Sequence, residues 1–221
     1  MARVEEGSLA ERAGLEPGDR LVSVNGHLLR DVIDYHFHTA DEELDLEIER
    51  AGQRLAFHVQ RRYGEEFGLE FTEDVFDDMR RCNNRCAFCF VDQMPSGMRR
   101  SLYIKDDDYR YSFLHGNFIT LSNWTDEDWG RVARQRLSPL YISVHATDLD
   151  LRRRIFNNPR LPDIRQQLRR LGELGIEMHT QIVLLPGLND GARLEETLDD
   201  LTSLYPAVRS IGVVPVGLTK Y

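Results

Sequence analysis

The chain has no apolar run approaching the ~20 residues of a membrane span. Its first eight residues, MARVEEGS, are neither basic-then-apolar nor rich in arginine and serine, so no export or transit signal is read there. A basic excess is lacking too. Against 28 Lys and Arg stand 37 Asp and Glu, a net charge of −9, which argues against nucleic acid as a partner. Only 3 cysteines occur. An odd count without a secretory signal argues against a disulfide with a spare thiol. A globular protein of the reducing cytoplasm is the expectation that remains. Its 221 residues allow one large domain or two modest ones.

What charge there is divides unevenly. Residues 1–80 carry 9 basic and 20 acidic side chains, a net of −11. The remainder carries 19 basic and 17 acidic side chains, a net of +2. This change predicts two modules, over residues 1–73 and 74–221. Arg152 to Arg154 and the arginines between 165 and 170 lie among helix formers. They are expected on solvated helix faces rather than in an RNA patch.

The few cysteines all fall within eight residues, Cys82-Asn-Asn-Arg-Cys86-Ala-Phe88-Cys89. Three thiolates at this spacing can close round one small inorganic centre on a single loop. Four would fill the irons of a four-iron cluster; three leave one iron open, and an open metal position is where chemistry happens. A zinc site of three cysteines and one of the seven histidines is the alternative. It is disfavoured because zinc staples usually come as two separated ligand pairs, and no second cysteine pair exists.

The first module reads as β-rich. Residues 2–6 suggest a strand, and Ser8 with Glu11 has capping-box spacing for a short helix. Residues 20–24 alternate and end at Asn25-Gly26, a turn pair. Asp31 opens an amphipathic helix, and residues 44–50 and 55–61 alternate around Ala51-Gly52-Gln53 as a hairpin. His36 and His38 are two apart, so they do not share a helix face and read as surface or packing residues.

In the second module strands and helices alternate, the pattern of an α/β fold with a parallel sheet. Strands are expected after Asp74, leading into the cysteine loop, and over residues 118–122, 140–145, 178–185 and 211–216. Residues 90–115 read as a long polar connection. Asp106, Asp107 and Asp108 are adjacent, and successive side chains do not converge on one cation. Thr125, with acidic residues behind it, is a helix cap.

The octet around Phe88 resembles the cluster loop of the radical S-adenosylmethionine (SAM) enzymes, CxxxCxΦC with Φ aromatic. The resemblance implies that Cys82, Cys86 and Cys89 hold a [4Fe-4S] cluster whose fourth iron binds S-adenosyl-L-methionine. It further implies cleavage of that cofactor to a 5′-deoxyadenosyl radical, with the electron supplied by a reductant protein such as flavodoxin or ferredoxin. The implied fold is an incomplete (β/α) barrel, with active residues at the carboxyl ends of its strands. Those ends are Ser122, Asn123, Ser143, His145, Gln181 and Pro215. The family's glycine-rich GGE-like motif after the second strand is replaced here by Leu121-Ser122-Asn123. Phe88, Ser122, Asn123, Ser143 and Gln181 are therefore the expected cofactor contacts, and His145 is either a proton donor or a packing residue. No substrate-reacting residue is assigned.

GSLAERAGLEPGDRLVSVNG, over residues 7–26, resembles a PDZ domain, which implies a permuted PDZ order with Gly68 and Leu69 at the peptide-binding edge. Glu70 replaces a glycine of the family's carboxylate loop and is expected to repel a free C-terminus. A peptide or protein partner at this module is the corresponding expectation. The whole chain resembles a bacterial group of PDZ-fused radical SAM proteins, distantly related to the NifB and MoaA enzymes. Members continue with a sixth strand and a further domain, so a truncated copy is expected. The other reading is a non-catalytic peptide-binding scaffold with structural zinc or a vestigial cluster.

Overall fold

Described in a computed structural model over residues 1–219, the chain forms two units, Met1–Asp78 and a second from Met79 onward. Residues 220 and 221, where the second expected module ends, lie outside the described residues. No described helix is long and apolar enough to cross a membrane.

The first unit starts with β1 (Arg3–Val4) and α1 (Leu9–Arg12). Ser8 Oγ accepts the Glu11 N–H at 3.2 Å, and Glu11 reaches back to accept the Gly7 N–H at 2.7 Å. β2 (Arg20–Val24) ends at Asn25 and Gly26, whose φ values of 50° and 77° fold the chain into the hairpin partner β3 (His27–Leu28). Asp31 caps α2 (Val32–His38) by accepting the Asp34 N–H at 2.9 Å. β4 (Glu43–Arg50) and β5 (Gln53–Gln60) complete an antiparallel sheet ordered β3-β2-β4-β5. The alternation in β4 puts Leu44, Leu46 and Ile48 in the core, and each such burial stabilises by about 1.5–3 kcal/mol.

β6 (Leu69–Glu70) pairs antiparallel with β1, so the last strand of this unit closes onto its first. The path into β6 depends on Gly68. Its φ is +79°, and a Cβ added there would lie 2.3 Å from the Ser8 Cβ. Gly68→Ala is expected to destabilise this unit by at least about 2 kcal/mol, combining backbone strain with a clash against the capping residue. A far-ultraviolet circular dichroism melt checks this; tryptophan fluorescence should stay unmoved, because both tryptophans, Trp124 and Trp129, belong to the second unit. An unchanged melt would contradict the close approach.

The second unit departs from the expected five strands. Before the cysteine loop, where a strand was expected after Asp74, the described residues form two isolated antiparallel bridges, Val75 to Asp31 within the first unit and Arg81 to Asp106 in the second. Residues 118–122 contribute a single parallel bridge, Ile119 to Ile142, rather than a strand. Leu121 turns to φ +57° and takes the backbone out of the extended region. The edge beyond is occupied as well: Ser112 Oγ accepts the Tyr141 N–H at 2.8 Å and donates to the Tyr141 carbonyl at 3.3 Å. Residues 90–115 are not one polar connection. They hold a short 3₁₀ turn (Arg100–Tyr103) and α3 (Tyr109–His115), capped by Asp108.

α4 (Asp126–Gln135) starts with the expected Thr125 cap, a reciprocal box with Asp128. β7 (Leu140–Ser143), α5 (Leu149–Phe156), α6 (Ile164–Glu173), β8 (Met178–Leu184), α7 (Ala192–Thr202) and β9 (Val208–Pro215) then alternate. The three strands form one parallel sheet ordered β7-β8-β9. In α6 the spacing of Ile164, Leu168 and Leu171 delivers three fully buried side chains on one face. Arg152 is not on a solvated face as expected. It is fully buried in α5, because its guanidinium donates to the carbonyls of Val144 (3.1 Å), Thr120 (2.8 Å) and Ser143 (3.2 Å).

Candidate active site: the cysteine loop and its cavity

Three backbone hydrogen bonds fix the cysteine loop. The Cys82 N–H reaches the Lys105 carbonyl at 2.7 Å, the Arg85 N–H reaches the Phe156 carbonyl at 3.0 Å, and the Cys89 N–H closes a turn on the Cys86 carbonyl at 3.0 Å. Asn84 braces it from within. Buried, it donates from Nδ2 to Cys82 Sγ (3.4 Å), Thr120 Oγ1 (3.1 Å) and Ser122 Oγ (3.0 Å), and its Oδ1 accepts from Asn158 Nδ2 at 2.8 Å. Sequence reading missed Asn84 and Asn158. They stand 74 positions apart, and only the fold joins them.

All three cysteines are free and half-buried. With Phe88, Ser143 and Gln181 they line one cavity of about 590 Å³. Ser143, the last residue of β7, and Gln181 are direct register partners in the parallel ladder, so their side chains sit side by side; Gln181 is midway along β8, which runs on to Leu184, and not at its carboxyl end as expected. Phe88 meets the His145 ring edge-on at 4.8 Å.

Ser122 and Asn123 lie outside this lining. Ser122 Oγ contacts Asp107 Oδ2 (3.2 Å), Thr120 Oγ1 (2.8 Å) and Asn83 Oδ1 (2.9 Å). Asn123 Nδ2 donates to the Asp107 carbonyl at 3.2 Å. The Asp run diverges as expected: Asp106 accepts from Asn117, Asp107 from Thr120, and Asp108 from Arg110. Gly68 and Leu69 line a separate cavity in the first unit.

The electrostatics favour neutral thiols at Cys82 and Cys86 and place cations near them. Burial, then the Asp107 carboxylate, raises the Cys82 pKa. Burial, then the neighbouring Cys82 and Cys89 thiolates, pushes Cys86 up to about 12. Metal ligation requires thiolates, so a bound metal centre must displace these protons. Lys105 lines the cavity and holds Asp92 Oδ2 (2.8 Å) and the Asn84 carbonyl (3.0 Å). Burial alone would lower its pKa; the Asp92 hydrogen bond and the Cys89 and Cys82 charges outweigh burial and raise it. Burial lowers Arg152 to about 10, opposed by Asp107 and Cys86.

His145 is a packed residue held in one tautomer. Its Nδ1 accepts the Val183 N–H at 3.0 Å, so the neutral ring carries its proton on Nε2. Its φ is +63°, an uncommon backbone state for a non-glycine residue. Burial, then the Arg152 charge, lowers its pKa from 6.5 to about 3. The unfolded chain therefore binds a proton that the folded chain refuses. Stability from this residue is complete above about pH 6.5 and falls by about 1.4 kcal/mol per pH unit below it, towards pH 3. Urea unfolding followed by tryptophan fluorescence at pH 7.5 and 5.5 checks this. His145→Gln, measured alongside, should lose less between the two values than the unaltered chain.

A protein-family model described as a radical SAM-like domain matches residues 61–211. The chain belongs to the radical SAM-like family. A second model, described as a PDZ domain, matches residues 1–50, so this radical SAM-like protein carries an N-terminal PDZ domain. No curated protein matches it. Among solved structures it is similar to a radical SAM methyltransferase from Sphaerobacter thermophilus, with 16% identity over 96% of this chain and 71% of that chain, at a TM-score of 0.36.

The radical SAM-like unit has residues that fit an iron–sulfur cluster. Three thiols, none in a disulfide, share one cavity. Two cations are close enough to influence them, and one of these, Arg152, keeps a buried Nη1 with no hydrogen-bond partner. Among the described residues, no three His, Cys, Asp or Glu side chains are arranged to hold a single metal ion.

Proposed function

We propose that this chain is a radical SAM enzyme in which Cys82, Cys86 and Cys89 hold a [4Fe-4S] cluster. The supporting observation is the gathering of three free thiols, Phe88, Ser143 and Gln181 on one cavity beside the parallel strands β7 and β8. When bound, the cluster supplies the electron that cleaves S-adenosyl-L-methionine to a 5′-deoxyadenosyl radical. Ser143 and Gln181 offer hydroxyl and amide groups to the polar part of that cofactor. Phe88 and Phe156 give the cavity apolar wall that limits water. Ser122 and Asn123 act one layer back, through Asn84 and Asp107. Lys105 and Arg152 offset the negative charge of the thiolates. In this reading β7-β8-β9, with the Ile119 bridge beside them, are part of an incomplete (β/α) barrel. The electron comes from a reductant protein of the flavodoxin or ferredoxin kind, and the PDZ domain takes a peptide along Gly68 and Leu69.

The test is anaerobic reconstitution with iron and sulfide, then dithionite and S-adenosyl-L-methionine. Iron content near four per chain with release of 5′-deoxyadenosine is the expected result, since a four-iron cluster is the proposed centre. Tight zinc with no iron would overturn the reading and leave a peptide-binding scaffold.

A further inference from the structure

The first unit contains a cavity of about 660 Å³ between the end of α2 and residues 61–69. Tyr35 and His36 of α2 form one wall and Gly68 and Leu69 the other. Tyr35 also packs edge-on against Phe71 at 4.9 Å, which sets the width between helix and strand. β6 pairs only with β1, so its other edge is open among the described residues. An extended segment can add to that edge by main-chain hydrogen bonding.

The charge of the lining differs from what a peptide carboxylate needs. Glu5, Asp41, Glu42 and Glu66 all line the cavity, and none makes an ion pair or a side-chain hydrogen bond among the described residues. Two arginines face them. Arg61 donates from Nε to the backbone carbonyl of Glu65 (2.6 Å) and from Nη1 to that of Thr39, so its charge offsets one of the four carboxylates. Arg62 is exposed at the rim. Glu70, the expected source of repulsion, lies outside the lining and pairs with Arg3 at 3.2 Å. Repulsion of an anion therefore comes from four other carboxylates. The surrounding unit adds to the effect, since residues 1–80 carry a net of −11.

We infer that this groove takes an extended, internal, lysine- and arginine-rich segment of a partner protein, with no requirement for a free C-terminus. The inference rests on reading Gly68 and Leu69 as the peptide edge and is independent of the iron–sulfur chemistry. Main-chain pairing along β6 supplies alignment. The four unpaired carboxylates supply the sign of charge selected.

Fluorescence anisotropy on the intact chain tests it with three labelled probes. One is the octapeptide Val-Lys-Val-Arg-Val-Lys-Val-Arg, acetylated and amidated. The second is the same peptide with a free C-terminal carboxylate. The third has glutamate at every basic position and a free carboxylate. The amidated basic peptide should bind at least as tightly as its free-carboxylate form, the acidic peptide about tenfold more weakly or worse, and added salt should weaken the basic complexes. Glu42→Lys with Glu66→Lys should weaken the basic peptide about tenfold, while Glu49→Lys on β4, outside the lining, leaves it within about twofold. Circular dichroism verifies that each variant is folded. Preference for the free carboxylate or for the acidic peptide would overturn the charge selection and keep the edge. Equal losses from Glu49→Lys and the double variant would reduce the effect to net charge and overturn the groove. No binding by any probe would overturn the edge reading itself and leave the cluster proposal untouched.

Discussion

Arg152→Met is expected to lower the stability of the second unit by about 2–4 kcal/mol. Arg152 is fully buried and ties together the carbonyls of Thr120, Ser143 and Val144. These are the points where the Ile119 segment and β7 end. Methionine fills much of the volume but donates nothing, and each abandoned buried carbonyl costs roughly 1–3 kcal/mol. Against this stands the guanidinium's own desolvation, several kcal/mol that the variant no longer bears. Replacing a buried ion pair by apolar residues is often neutral for that reason. Arg152 differs because its hydrogen-bond partners are neutral carbonyls, so its removal releases one charge and takes a donor from the Thr120 and Ser143 carbonyls, while the Val144 carbonyl keeps the Ala146 N–H at 2.8 Å. The acceptor loss is expected to win. Arg152→Lys keeps the charge but lacks the planar fork that spans separate carbonyls, so it should recover only part of the loss. Urea unfolding of the metal-free protein by tryptophan fluorescence reports this unit alone, since Trp124 and Trp129 both lie in it. A loss under about 0.5 kcal/mol would show that the carbonyls find other partners.

Arg152 also marks the boundary of what sequence reading can reach. Three consecutive arginines in a helix suggest a solvated face, and Arg153 and Arg154 do remain partly or largely exposed. Nothing local says that the first of them will turn inward to strand ends 8 and 32 positions away. Local signals worked where the partner was local. The Ser8, Asp31 and Thr125 caps bond to N–H groups three residues on, and the Asn25-Gly26 turn joins adjacent strands. The grouping of the three cysteines was legible for the same reason, because they lie within eight residues. Residues 118–122 look like a strand by propensity. They pair only at Ile119, because the Ser112 hydroxyl of α3 takes the edge of Tyr141. α3 itself was hidden: its cap, Asp108, stands in an acidic run, and its anchor on the Arg80 N–H is 28 positions away. The cavity behaves likewise. Ser143 could be placed by counting to a strand end and Gln181 only by its strand, since it lies midway along β8, whereas Asn84, Lys105 and Asn158 meet the loop only through tertiary structure.

Replacing Cys82, Cys86 or Cys89 by alanine, one at a time, is expected to cut reconstituted iron to about a tenth of the unaltered chain or less. The size of the effect follows from the ligand count. The chain has 3 cysteines, all in the loop, so no spare thiolate can move in. The loop is also pinned through Cys82 to the Lys105 carbonyl and through Arg85 to the Phe156 carbonyl, which limits sliding of the remaining ligands. The variants should keep their fold. The thiols are half-buried, and apart from the Asn84 Nδ2 contact to Cys82 Sγ at 3.4 Å the loop's anchoring bonds come from backbone and from Asn84 to oxygen and amide partners. Unfolding midpoints within about 1 kcal/mol of the unaltered protein would therefore separate lost ligation from lost structure. Cys86 is the most informative position. Burial and two neighbouring thiolates push its pKa to about 12, so its proton is hard to remove without a metal. Iron uptake by the unaltered chain should rise with pH as the thiols yield their protons. If Cys86→Ala retained a full complement of iron, neither a three-thiolate cluster nor the proposed radical chemistry could stand, because the two remaining cysteines would have to hold every iron alone.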